Sequence, residues 1–327
     1  MPGDPSPDVV AARERRTGLT QGVVAYLWWG FMPLYFPLLA PTGPVEIIAH
    51  RVSWSLLVCV VLLQVTRAWG SVRAVLRSRR TLATLALAAV LVATNWLVFV
   101  FGVLAGHTVD AALGYYINPL VTVALAVVGL GERLRPAQWV ALGTGATAVV
   151  VLTVGTGRLP WIALVLAATF GLYGLIKNRV GRTVPAVTSL AVETAALTPV
   201  AVGYLVWLAA TGAGTFSAHG TPHALALASA GVVTTVPLLL FGGAARRLPL
   251  SLVGMLQYLT PTMQFAVGVL VFGEDMPAAR WWGFALVWLA LVVLTADGLR
   301  AARTPRVRGQ GVGAAVPPGV GVPDVSR

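Results

Sequence analysis

Leu113–Glu132 reads LGYYINPLVTVALAVVGLGE, and 142 residues later Met255–Glu274 reads MLQYLTPTMQFAVGVLVFGE. Tyr116-Ile117-Asn118-Pro119 in the first stretch matches Tyr258-Leu259-Thr260-Pro261 in the second, and each leads into a Gly-Glu pair, Gly131-Glu132 and Gly273-Glu274. The same offset carries Trp139 onto Trp281, and an offset of 141 carries Trp29-Gly30 onto Phe170-Gly171. A fixed offset held over this much of a chain is the mark of an internal duplication.

Outward from these two stretches the chain is a series of apolar runs. They fall at about 18–40, 44–66, 81–104, 108–130, 137–155, 160–177, 186–209, 223–243, 249–272 and 279–296. Each approaches the roughly 20 apolar residues that a membrane-spanning helix needs, and an open strand cannot span lipid because its backbone groups would go unpaired. The expected fold is therefore an all-α integral membrane protein of ten transmembrane helices, in two five-helix repeats. Five crossings are an odd number, so the repeats are expected to be inverted. Expected boundaries are a cytoplasmic N-terminal tail at 1–17, repeats at 18–156 and 157–297, and a disordered cytoplasmic tail at 298–327.

Composition agrees. The hydrophobic class makes up 57% of the 327 residues and charged residues only 10%, against about a quarter charged in a soluble domain. The net charge of +12 does not point to nucleic acid, because the basic residues are dealt out in small groups between apolar runs. If the N-terminus is cytoplasmic, 20 of the 23 Lys and Arg residues fall on that side, as the positive-inside rule requires. The single cysteine, Cys59, lies inside an apolar run, which excludes an intrachain disulfide and a cysteine metal site. No phosphate-binding loop, dinucleotide glycine fingerprint or nucleophile elbow occurs. No cofactor, metal or ATP hydrolysis is therefore expected.

Inverted repeats suit solute transport, since each half can adopt the other's conformation around one midplane site. Pro119 and Pro261 are expected to kink their helices, because proline removes a backbone hydrogen bond.

Ionisable groups in lipid are costly and usually face a cavity or a partner. Glu46 and His50 lie four apart on one helix face, so the carboxylate can hold the imidazole. Arg51 either snorkels to the headgroups or offers a cation to an anionic solute. Glu193 stands as a lone carboxylate in the run 186–210, suited to proton coupling or to a structural hydrogen bond. Asn95, Asn118, Gln257 and Gln264 supply amides that serve as interhelical glue or solute contacts. Trp28, Trp29, Tyr115, Tyr116 and Tyr258 line a cavity or anchor the helices.

On these residues the chain resembles a known family. Glu46–Ser55 (EIIAHRVSWS), Asn95-Trp96, Leu113–Leu120 (LGYYINPL), Phe170-Gly171-Leu172-Tyr173-Gly174 and Gly254–Phe265 (GMLQYLTPTMQF) are similar to the EamA transporters of the drug/metabolite transporter superfamily, RarD group. The likeness spans about residues 18–297 and departs at Ala112, where a small hydroxyl residue would be expected. It implies a ten-helix inner-membrane carrier with two EamA repeats.

The expected function is secondary transport of a small metabolite or drug-like solute, from a cavity between the second, third, fourth, seventh, eighth and ninth runs. Expected partners are the solute, a coupling proton or sodium ion and the lipid bilayer, with a homodimer left open. The alternative is a membrane enzyme or lipid-handling protein using Glu46 and His50 as acid and base.

Overall fold

The computed structural model describes residues 7–130, 133–181 and 183–303. The Gly131-Glu132 pair of the first repeated stretch and the tail beyond 303 lie outside the described residues. The described elements are helical, with no strand among the described residues. In chain order they are α1 (Pro7–Tyr35), α2 (Pro44–Val65), α3 (Trp69–Arg77), α4 (Arg79–Leu104), α5 (Thr108–Leu130), α6 (Pro136–Thr156) and α7 (Trp161–Val180). There follow α8 (Ala186–Thr211), α9 (Gly220–Arg247), α10 (Leu250–Leu256), α11 (Leu259–Ala266) and α12 (Ala278–Arg303).

Among the described residues, seven helices (α1, α2, α4, α6, α8, α9 and α12) are long and apolar enough to cross a membrane. The 22 residues of α2 rise about 33 Å at 1.5 Å per residue, enough for a hydrocarbon core of about 30 Å. The surface fits lipid. Val65, Val128, Val154, Val200 and Leu270 are each at least 75% exposed, while Glu46, Arg51, Asn95 and Glu193 are buried. Water would penalise that arrangement on both counts. The chain is a multi-pass membrane protein.

Two boundaries and one short helix differ from the sequence expectation. α1 begins at Pro7 rather than near 18, and α12 continues to Arg303, six residues past 297. Hydropathy marks only the part of a helix that needs lipid, whereas Ala- and Arg-rich ends such as Ala11-Ala12-Arg13 favour helix in water as well. Between α2 and α4 lies the short α3, whose Val75 is buried against Leu85 and Val184. Nine residues are too few to register as a span.

The two prolines of the repeated stretches have different outcomes. α5 runs unbroken through Pro119, held along its length by packing against α7 and α11. The ninth apolar run is instead divided. α10 ends at Leu256, Gln257 and Tyr258 form a turn, α11 carries Pro261, and a π-helical turn follows at Val267–Val271. Proline's ring excludes the carbonyl four residues earlier, which places the interruption at Gln257.

The most extensive helix pairings are α6 with α12, α5 with α7, α2 with α8, and α1 with α9. α9 also packs on α2, α7 on α4, and α11 on α1. At the α2–α9 crossing a Cβ on Gly231 would lie 2.5 Å from the backbone carbon of Trp54. Backbone cannot retreat as a flexible side chain can, so Gly231→Val is expected to cost about 1–3 kcal/mol, read as a lower thermal midpoint in detergent.

Candidate functional site

Glu46 stands in the first turn of α2, behind Pro44. Its carboxylate accepts hydrogen bonds from the Thr215 N–H at 2.7 Å and the Thr215 hydroxyl at 3.1 Å. The Thr215 hydroxyl also meets that of Thr42 at 2.7 Å, and His223 Nε2 lies 3.0 Å from the Thr42 oxygen. Glu46 and His50 share a face as expected and stand at ion-pair distance, without a hydrogen bond. His50 Nε2 is 3.9 Å from the carboxylate, beyond hydrogen-bonding reach, and both ring nitrogens are without a hydrogen-bond partner. The imidazole stacks on Phe216, centroids 4.9 Å apart. The reason lies in the α8–α9 loop, which supplies better donors for the carboxylate than an imidazole one turn away. A cavity of about 230 Å³ lies beside these groups, bounded by Glu46, His50, Leu205, Leu208 and Phe216.

Five residues further along α2 is Arg51, about 7.5 Å deeper at 1.5 Å per residue. It does not snorkel: only 5% of the residue is exposed. Nε donates to the Thr234 hydroxyl of α9 at 2.7 Å, and the guanidinium carbon sits 4.3 Å from the centroid of the Trp96 ring on α4. The Tyr35 and Tyr115 hydroxyls lie nearby. Nη1 is buried without a hydrogen bond. Among the described residues no carboxylate forms an ion pair with Arg51. A charge at membrane depth costs at least about 2.5–3.5 kcal/mol. The ring face returns about 2 kcal/mol of that when desolvated and the charged hydrogen bond to Thr234 about 1.5–3 kcal/mol, while Nη1 is left without a partner.

Asn95, one residue before Trp96, is fully engaged. Its amide donates to the Leu166 carbonyl and the Thr169 hydroxyl of α7, both at 3.0 Å, and its oxygen accepts from Tyr115 at 2.9 Å. It ties α4 to α5 and α7 and fixes the Tyr115 hydroxyl. Asn95→Leu is expected to lower stability by roughly 0.5–2 kcal/mol, while Tyr115→Phe, which leaves both α7 bonds in place, costs less in the same melt.

Glu193 is not alone. Lys177 Nζ on α7 lies 2.7 Å from its carboxylate, Ser189 Oγ donates to it at 2.7 Å, and the Tyr173 hydroxyl at 3.1 Å. The Lys177 ammonium also donates to Ser189 and lies over the Tyr173 ring. In the sequence Lys177 counts only as a topological charge. The available signal was its spacing, four residues after Tyr173, which sets both on one face of α7.

The remaining candidates lie elsewhere. The Tyr116 hydroxyl meets that of Thr262 at 2.8 Å, and its ring packs on Phe284 and Trp288. Asn118 accepts from Thr122 within its own helix. Gln257 is exposed, and Tyr258 packs half-buried against the α5–α6–α12 core. Gln264 is buried and donates to the Trp29 carbonyl at 3.2 Å. The structure thus gathers Arg51 with Asn95 and sets Glu46 with His50 above them. Trp96, Thr234 and Tyr35 complete the group and were not singled out as site residues, because threonine and tryptophan are unremarkable in an apolar run.

Comparison with known proteins decides what such a bundle is. Protein RarD of Streptomyces exfoliatus is 53% identical over 298 residues, covering 91% of this chain and 94% of that protein. The chain belongs to the EamA-like transporter family. Residues 16–154 match that family directly, and the relatives place the chain in its RarD group. Protein RarD of Escherichia coli is 39% identical over 89% of this chain and 98% of its own length. A protein of Vibrio cholerae named only as an uncharacterized transporter is 42% identical over 90% and 97%. A solved structure aligns over 88% of this chain and 99% of its own, with a TM-score of 0.54 at 20% identity, a likeness of fold alone. As an EamA-family member the chain is a transmembrane transporter. The names of the relatives are consistent with a transporter rather than an enzyme.

Proposed function

We propose that this protein is a secondary transporter of the plasma membrane, moving a small metabolite or drug-like solute by alternating access. Its two five-helix repeats are inverted, both termini are cytoplasmic, and the solute site lies between them near Arg51. α5, α7 and the divided α10–α11 segment complete ten crossings in this reading.

The observation that carries it is the exchange symmetry of the helix contacts. Gly30 of α1 is seated against Met263 of α11, where a Cβ would come within 2.6 Å. Gly171 of α7 is seated against α5, where a Cβ would meet Leu125 at 3.3 Å and both Thr122 and Val121 at 3.5 Å. Gly30 precedes Gly171 by 141 residues, and Val121 precedes Met263 by 142. One half's contact is therefore repeated in the other with the partners exchanged. Helix pairing follows the same exchange, since α1–α11 and α7–α5 both pack, as do α2–α9 and α8–α4. Two halves that can trade conformations support inward-open and outward-open states of similar energy. Arg51 of α2 and Glu193 of α8 stand 142 residues apart, the offset of the repeated stretches, so the two repeats carry buried charges at matching positions.

The test is flux. Purified protein in liposomes is expected to move at least one compound of a metabolite library in a protein-dependent way, with counterflow when that compound is loaded inside. Absence of counterflow for every compound that binds would remove alternating access. Proton and sodium gradients applied separately identify the coupling ion.

A further inference from the structure

The charges inside this bundle do not balance where the solute would sit. Among the described residues, each buried or half-buried carboxylate already has its own donors. Glu46 is held by Thr215, and Glu193 by Lys177 and Ser189. Asp110 faces Arg280, and Glu274 accepts from the N–H groups of Thr108 and Val109. No protein anion is left over for Arg51, whose Nη1 is buried and unpaired. Two hydroxyls on the same pair of helices are left over as well. The hydroxyl of Ser55, one turn further along the same face of α2, and that of Thr235, next to Thr234 on α9, are both buried without partners. A cation with two idle hydroxyls between two packed helices lacks a compact group with several acceptor oxygens. A carboxylate offers about four lone-pair sites and no donor when ionised, and it pairs with guanidinium more strongly than any neutral acceptor.

We propose, building on the transport reading above, that the solute is a small organic monoanion, a carboxylate or a group of like shape and charge. Its oxygens pair with Nη1 of Arg51 between α2 and α9, and its apolar part meets the rings of Trp96, Tyr35 and Tyr115. Thr234 fixes the guanidinium through Nε and leaves the Nη edge for the solute. Trp96 covers the flat face of the guanidinium, so the anion approaches in the plane of the fork.

The experiment is thermal unfolding of the purified full chain in neutral detergent. The panel consists of straight-chain and aromatic carboxylic acids, each with its primary amide, plus phosphatidylglycerol as an anionic lipid. At least one acid is expected to raise the midpoint by several degrees by mass action, and its amide not at all. Binding of that acid to Arg51→Gln is expected to be about 10–100-fold weaker, the loss of a charged hydrogen-bonded pair, with Arg51→Lys in between. Should Arg51→Gln fail to fold, Thr234→Val and quenching of Trp96 fluorescence serve instead. The acid should quench wild type, and Trp96→Phe should lose that component. The idea is overturned if no acid stabilises, if acid and amide act alike, if the acid binds Arg51→Gln as tightly as wild type, or if only the lipid acts through Arg51. Acid binding at Arg51 without flux would refute the transport reading and leave this site standing. Flux of a neutral solute with no acid binding would do the reverse.

Discussion

Lys177→Met is expected to lower the stability of the protein by about 3–5 kcal/mol, the cost of leaving a buried charge without its partner. Glu193 is almost completely enclosed, its side chain 1% exposed, and Lys177 is the cation 2.7 Å from it. Ser189 and Tyr173 would remain as donors, but neither carries charge. Lys177 is itself 28% exposed, so water screens part of the interaction and the lower end of the range is the better expectation. Adding Glu193→Gln removes the stranded charge, and the double variant should recover most of the loss. Thermal unfolding in detergent of both single variants and the double variant closes the cycle. If the two losses simply add, the pair does not act as a unit and the geometry between α7 and α8 has been misjudged.

Glu274→Ala should be the next most damaging change, at about 2–4 kcal/mol. Its carboxylate reaches from the segment after α11 to the start of α5, accepting from the N–H of Thr108 and, at 2.9 Å, from that of Val109. The first N–H groups of a helix have no partner within it, and each one stranded away from water costs about 1–3 kcal/mol. The negative charge also opposes the positive end of the helix dipole, worth about 0.3–1 kcal/mol. Glu274→Gln keeps an acceptor and loses the charge, so it should fall between wild type and alanine. Hydrogen exchange locates the effect: the amides of Thr108 and Val109 should exchange faster in the alanine variant while those of α2 do not. Uniform loss of protection across the bundle would instead assign Glu274 a global role.

Neither partnership is visible as a motif. In the sequence Glu274 is a marker of duplication, and Lys177 is one basic residue among those that set orientation. Glu193 has the look of an isolated carboxylate because its cation comes from a different helix sixteen residues earlier. Glu46 and His50 are correctly spaced for each other along α2, yet Thr215, 169 residues away, takes the carboxylate. Spacing along one helix states which side chains share a face, not which competitor arrives from another.

What the sequence determined alone is what local transfer free energy encodes. Runs of apolar residues specify helices in lipid, and the likeness of Leu113–Glu132 to Met255–Glu274 at a fixed offset is a property of the sequence itself. Each of these can be summed residue by residue without knowing who neighbours whom. The tertiary structure decided the rest: that α10 and α11 part at Gln257 while α5 does not bend to a break at Pro119, that Arg51 turns inward onto Trp96 and Thr234, and that it is left with no carboxylate of its own. Those outcomes depend on which helices meet and on the competition for each buried donor and acceptor. In a medium without water, every polar group must settle that competition with the protein or with what the protein carries.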